Sequence, residues 1–283
     1  MPPTQDGFIE AEKDVRLYFR TIGEGECVLI PLVSWTEEFD VLAKGRRLIF
    51  YDPRNRGQST AVELEQISFQ NDIRDLEAIR KHFALEKMSL IGWSYFGGVV
   101  ARYAMEFPQH VERFVMVCGP PIQRLPHSET INRVMADRIN AVAPGFLEEL
   151  QATNSPEPEK LQRLWELLKQ VRSGRYGLRP MRGVPSKYPN ERPEKVATVF
   201  RRGMQTQGDW DWREDAKRVT SPALFVYGDA DFLPFEAARQ WAEYLPNARV
   251  FKMDGVGHFP SLEEPDLFFL ALEEFLRGHW PTA

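Results

Sequence analysis

The sequence predicts an α/β protein: a mostly parallel, doubly wound sheet with an inserted helical segment. Three observations predict it. Six short apolar runs, residues 27–30, 48–51, 88–91, 114–117, 224–227 and 250–253, show little alternation. Such runs suit strands buried on both faces. Helical spacing of apolar residues lies between most of them, and alternating strands and helices imply a sheet covered by helices. The alternation then stops over residues 121–215, where no strand-like run occurs.

The elements follow in chain order. Residues 8–12 (Phe-Ile-Glu-Ala-Glu) and 15–20 (Val-Arg-Leu-Tyr-Phe-Arg) alternate in character and predict a half-exposed hairpin at a sheet edge. Cys-Val-Leu-Ile at 27–30 and Leu-Ile-Phe-Tyr at 48–51 are the first buried strands. A helix over 69–85 places Ile73, Leu76, Ile79 and Phe83 along one face, and the strand at 88–91 follows it. A helix over 99–107 then leads to the strand at 114–117. Within the insertion, helical patterns occur at 159–172 and 195–205, punctuated by Pro156, Pro158, Pro180, Pro185, Pro189 and Pro193. The strands at 224–227 and 250–253 flank a helix at 237–245, and a last helix over 265–278 carries Leu267, Leu270, Leu272 and Phe275. Residues 1–120 and 216–283 are therefore read as one core, with 121–215 as a helical cap inserted between core strands.

Composition narrows the function classes. A chain of 283 residues buries enough surface, about 75% of that of its unfolded form, to need no disulfide or metal staple. A net charge of −5 and the lack of a long basic tract argue against nucleic-acid binding. The insertion differs, with fifteen Lys/Arg against seven Asp/Glu over residues 160–220. The longest uncharged run, 88–101, has 14 residues, short of the roughly 20 that span a bilayer. The N-terminal Met-Pro-Pro-Thr-Gln-Asp-Gly lacks the pattern of a signal peptide, and Cys27 and Cys118 lie in apolar runs as free thiols. The expectation is a cytoplasmic enzyme with a small-molecule substrate, no membrane or nucleic-acid partner, no cofactor and no metal; the oligomeric state is left open.

The chemistry concentrates at Gly92-Trp93-Ser94-Tyr95-Phe96-Gly97, where a buried strand ends in a serine and a helix begins at once. A serine hydroxyl is a weak nucleophile that needs exposure, a base, and donors for the oxyanion it creates. A sharp strand-to-helix turn lifts Ser94 out of the sheet and aims the Tyr95 N–H from a helix N-terminus. Further on, a buried strand ends in Gly228-Asp-Ala-Asp231, and the next leads into Gly255-Val-Gly-His258-Phe-Pro. Of the five histidines, only His258 sits in a glycine-flanked loop after a buried strand.

Over nearly its whole length the chain resembles the α/β-hydrolase family. Gly92–Gly97 resembles that family's nucleophile elbow, and Asp52-Pro-Arg-Asn-Arg-Gly57 its loop after the fourth strand. The resemblance implies Ser94 as nucleophile, Asp231 as acid and His258 as base, with Asp229 as a turn residue. It implies backbone N–H groups of Tyr95 and Val33, with Ser34 next to it, as the oxyanion hole. Trp35, Tyr95 and Phe96 are the substrate-pocket candidates. Two departures stand out. A bulky Phe96 occupies the position two after the nucleophile, where the family has a small residue, so either the elbow opens or Phe96 points into a gap. The family's His-Gly pair is replaced by Pro31-Leu-Val-Ser-Trp35. The implied activity is hydrolysis of small carboxylic esters through an acyl-enzyme. The alternatives are a proline iminopeptidase-like aminopeptidase, a carbon–carbon bond hydrolase whose anionic substrates a basic cap would suit, or a non-catalytic binding protein on the same fold. If the cap arginines act on substrate, Arg172, Arg175 and Arg179 are the ones expected to favour anionic esters.

Overall fold

The computed structural model describes residues 3–152, 158–175 and 193–282. Eight strands build one sheet: β1 (Thr4–Glu12), β2 (Val15–Ile22), β3 (Glu26–Pro31), β4 (Arg46–Tyr51), β5 (Met88–Trp93), β6 (Val111–Val117), β7 (Ala223–Gly228) and β8 (Ala248–Met253). Their spatial order is β1-β2-β4-β3-β5-β6-β7-β8. The β1/β2 and β2/β4 pairs are antiparallel and every later pair is parallel. Burial explains the sequence pattern. All six residues of β7 are buried, as a strand covered on both faces requires, whereas β1 is largely exposed at the edge.

A one-turn helix, α1 (Thr36–Phe39), follows β3, and α2 (Phe69–His82) and α3 (Tyr95–Glu106) flank β5 in sequence. Ser68 caps α2 by accepting the Asn71 N–H at 3.1 Å, and Arg80, Lys81 and His82 complement the helix dipole at its other end. Between β6 and β7 lie α4 (His127–Val142), α5 (Phe146–Gln151), α6 (Pro158–Arg172), α7 (Pro193–Gln207) and the short α8 (Arg213–Ala216). The chain ends with α9 (Phe235–Tyr244) before β8, then a single turn, α10 (Pro260–Glu263), and α11 (Pro265–Leu276).

The helices α4 and α5 have no counterpart in the sequence reading. Their periodicity is weak because α4 buries only His127 and Ile139. Ile139, Ala143 and Phe146 form a small core of their own with Leu167 and Val171 of α6, separate from the main core around the sheet. The inserted helices meet the loops at the carboxyl ends of the strands. Thr206 of α7 accepts the Phe69 N–H at 2.9 Å, and the end of α6 lies along residues 255–258. Cys118 is buried and Cys27 half-buried, both as free thiols. Among the described residues no helix is long and apolar enough to cross a membrane.

Candidate active site

Ser94 stands between β5 and α3 at φ 53° and ψ −123°, a sparsely populated positive-φ conformation that costs on the order of 1–3 kcal/mol in a non-glycine residue. The surroundings enforce it. The Ser94 N–H donates to Val117 O at 2.8 Å, and Gly97 N–H donates to Ser94 O at 2.9 Å. The turn is tight enough that a Cβ on Gly92 would lie 2.2 Å from Phe96 O, and one on Gly97 would lie 2.7 Å from Met116 Cγ. Close helix–strand contact is thus made at Gly97 rather than at position 96. Of the two ways to fit Phe96, the chain takes the gap. The side chain is 4% exposed, packs 5.2 Å from the Tyr95 ring and 5.9 Å from Phe200, and closes a cavity of about 20 Å³ shared with Ile30, Leu32, Trp35, Ile91 and Trp93.

The structure brings Ser94, His258 and Asp231 into one hydrogen-bonded chain. His258 Nε2 is 2.9 Å from Ser94 Oγ, and Nδ1 is 2.9 Å from Asp231 Oδ2 and 3.1 Å from Oδ1. A carboxylate only accepts, so Nδ1 carries the hydrogen and Nε2 is left to accept from the Ser94 hydroxyl. Asp231 is itself fixed, its Oδ1 accepting the Phe232 N–H at 2.6 Å. His258 and Asp231 are 1% and 6% exposed. Asp229 faces elsewhere: it accepts the Gly255 N–H at 2.6 Å and lies 3.6 Å from Lys252 Nζ.

The backbone donors also have identifiable positions. Leu32, at φ 79°, turns the chain out of β3 into the short helical turn Val33–Trp35. The N–H groups of Val33 and Tyr95 are the first of their helices, and such groups have no acceptor within the helix. Trp35 packs against Trp93 at 5.3 Å and Phe39 at 5.6 Å. Trp93 has a role no sequence signal separates from core packing: its Nε1–H donates to the His258 carbonyl at 2.8 Å, and its ring lies 5.1 Å from the imidazole. Arg54 is structural, donating to both oxygens of Asp75 at 2.7 and 2.9 Å, while the Arg56 guanidinium lies over Phe200 at 5.1 Å. One cluster among the described residues combines potential metal-binding atoms, Cys118, Asp231 and His258 within 4.8 Å. The two titratable partners of Ser94 are already engaged there, and Cys118 is wholly buried.

The Tyr95 side chain is turned away from the Ser94 hydroxyl chain. Its phenol donates to Asp72 Oδ2 at 2.6 Å and is covered by α7, since a Cβ on Gly203 would lie 2.4 Å from the Tyr95 oxygen. Burial pushes the Asp72 carboxyl up to about 7; the Tyr95 bond opposes this, the Asp75 charge adds to it and Arg54 opposes it. A carboxyl whose pKa is raised by folding binds its proton more tightly in the native state. Its contribution is therefore present below the unfolded value and lost as pH rises through about 7. Asp72→Asn keeps an acceptor for Tyr95 and removes that loss. The stability of the variant relative to wild type, from denaturant melts, is expected to grow by up to about 4 kcal/mol between pH 4 and pH 7.5. A difference that stays constant with pH would contradict this assignment.

Comparison with known proteins places the chain in a family. Residues 31–265 match the model of the alpha/beta hydrolase fold, and the chain belongs to that family. It is 26% identical over 280 residues to a pimeloyl-[acyl-carrier protein] methyl ester esterase of Aliivibrio fischeri, covering 93% of this chain and 98% of the relative. It is 22% identical over 292 residues to a proline iminopeptidase of Lactobacillus helveticus, covering 93% and 94%. The crystal structure of an esterase from Exiguobacterium antarcticum superposes with a TM-score of 0.73 at 17% identity, covering 96% of this chain and all of that one, a likeness of fold. The chain is an enzyme of this hydrolase family.

Proposed function

We propose that the protein is a serine hydrolase that cleaves small carboxylic esters through an acyl-enzyme. The observation that carries this reading is the Ser94–His258–Asp231 chain, with 2.9 Å at both the Ser94 and the Asp231 Oδ2 link, on a strained turn at the end of a buried strand. In this mechanism Ser94 Oγ attacks the ester carbonyl carbon while His258 Nε2 takes the hydroxyl proton. The oxyanion forms against the Tyr95 and Val33 N–H groups, where donors aimed at developing charge contribute most. Collapse breaks the bond to the alkoxy oxygen, which receives the proton from His258. Water then repeats the sequence on the acyl-enzyme, releasing the acid and restoring Ser94.

Residues 121–215 act in this reading as a cap over residues 1–120 and 216–283, because their helices meet the loops that carry the three residues. In open α/β sheets ligands bind outside the carboxyl ends of the strands. Two free thiols suit a reducing compartment, so cytoplasmic residence and a small-molecule substrate belong to the same proposal. In this reading the acyl group is assigned to the cavity of about 20 Å³ beside Phe96 and Trp35, which has room for little more than one water-sized group and on that assignment favours short acyl chains. A panel of p-nitrophenyl esters against proline p-nitroanilide tests this. kcat/KM is expected to fall about tenfold or more from acetate to octanoate, with each lost fit worth about 1.4 kcal/mol per decade. Turnover of the proline anilide alone would instead select the iminopeptidase reading, which the arginine-rich insertion and the Pro31–Trp35 run disfavour.

Charge adds a second test. Of Arg172, Arg175 and Arg179, the last lies outside the described residues, and the Arg175 guanidinium points to the Asp254 carbonyl. Arg172 lies over the Phe232 ring at 5.2 Å, itself 4.7 Å from the His258 ring, and its buried Nε has no hydrogen-bond partner. Burial lowers the Arg172 pKa and the Asp231 charge opposes the fall. A substrate carboxylate would complete that environment. Arg172→Gln is expected to raise KM for hemisuccinate esters about 3- to 10-fold more than for neutral esters, an effect that shrinks with salt. Equal effects on both substrates would make Arg172 a packing residue only.

A further inference from the structure

We infer that the insertion sets the position of His258, with Glu263 and Arg138 as positioning residues, so that it acts on the chemical step as well as on substrate choice. This rests on the reading of Ser94, His258 and Asp231 as the reacting groups. Glu263, at the end of α10, is a carboxylate 1% exposed to solvent. Its Oε2 accepts the N–H of Gly174 at 2.7 Å and of Gly257 at 2.9 Å, and its Oε1 accepts the N–H of Phe259 at 3.1 Å. One side chain thus holds the residues on both sides of His258 together with a residue of the insertion. Hydrogen bonds to a charged acceptor are about twice as strong as neutral ones.

The backbones confirm how close this strap is. The His258 N–H donates to Arg172 O at 2.7 Å, and the Arg175 N–H donates to Gly255 O at 2.9 Å, so residues 172–175 run antiparallel to 255–258. A Cβ on Gly174 would stand 2.2 Å from Gly255 O, and one on Gly257 would stand 2.3 Å from Arg172 O. No side chain fits between them. On the other side of the imidazole, the Trp93 indole holds the His258 carbonyl at 2.8 Å. The insertion reaches Asp231 as well: Arg138 of α4 donates at 3.0 Å both to Val171 O, in α6, and to Asp231 O. The base and its acid partner are therefore tied through their main chains to the same inserted helices. Misplacing a reacting group by about 1 Å costs on the order of 10²-fold in rate.

The test uses the full-length protein with p-nitrophenyl acetate and a fluorophosphonate, for Glu263→Gln and Arg138→Met. An amide in place of the carboxylate turns one acceptor into a donor against an N–H, and Arg138→Met removes the link to Asp231 from a half-buried position. For each variant kcat and the second-order labelling rate are expected to fall about 10- to 100-fold, with KM changed less than about threefold. Labelling should still end at one group per chain on Ser94, which a general loss of folded protein would not give. The pattern in Arg138→Met alone suffices if Glu263→Gln does not fold. Rates within about twofold of wild type in both variants would overturn the inference. Wild-type protein that takes no label would instead reject the serine hydrolase reading itself.

Discussion

Ser94→Ala is expected to lower kcat for p-nitrophenyl acetate by about 10⁴- to 10⁶-fold, the range seen when a nucleophile is removed from a group of residues that act as a unit. Stability should stay within about 1 kcal/mol of wild type, because the replacement keeps the side chain small and keeps the strained backbone. Ser94→Gly separates the two contributions. Glycine occupies φ 53° without steric cost, so this variant is expected to be as inactive as alanine and more stable by about 1 kcal/mol, after allowing for the extra freedom of its unfolded chain. Parallel ester assays and urea melts measure both. Activity retained in either variant would reject Ser94 as the nucleophile, and a less stable glycine variant would reject the strain argument.

Asp231→Asn should have the second largest effect. The Asp231 Oδ1 accepts the Phe232 N–H at 2.6 Å, so an asparagine there keeps its oxygen on that side and turns its amide group toward His258 Nδ1. Two donors cannot face each other, so the imidazole shifts its hydrogen to Nε2. That nitrogen then donates to Ser94 and cannot take its proton. The expected loss in kcat is about 10⁴-fold with the fold intact. Asp229→Asn, two residues away, faces Gly255 and Lys252 and should leave kcat within about threefold of wild type. If the two substitutions exchanged effects, the acid would have been assigned to the wrong aspartate.

Much of this architecture was legible in the sequence because a strand buried on both faces writes an unbroken apolar run. Five of the six runs lie in the interior strands β3 to β7, and the alternating N-terminal segments are the edge hairpin β1–β2. The sixth, Val-Phe-Lys-Met at 250–253, lies in β8 at the opposite edge, where only Phe251 and Met253 are buried and Lys252 is exposed, so it is not covered on both faces. The nearness of Ser94, Asp231 and His258 was legible because each follows the carboxyl end of a strand in the parallel part of the sheet, β5, β7 and β8 in turn. The helices α4 and α5 were not, because they pack on another part of the insertion and show the sheet almost no apolar face. Interactions between distant polar residues left no trace. Tyr95 meets Asp72, 23 residues away, and Glu263 meets Gly174, 89 residues away. Nothing in the run Phe259-Pro-Ser-Leu-Glu-Glu264 marks Glu263 rather than the half-buried Glu264 as the fully buried one. The fit of Phe96 likewise depended on the space left by Trp35 and Phe200, which no local pattern reports.

The most direct measurement is the mass of the intact chain after incubation with a fluorophosphonate, followed by peptide mapping. The account predicts a single phosphonyl adduct on Ser94, formed by loss of fluoride, and no adduct in Ser94→Ala or in protein denatured beforehand. An unlabelled native chain, or an adduct at another serine with Ser94 unmodified, would contradict it.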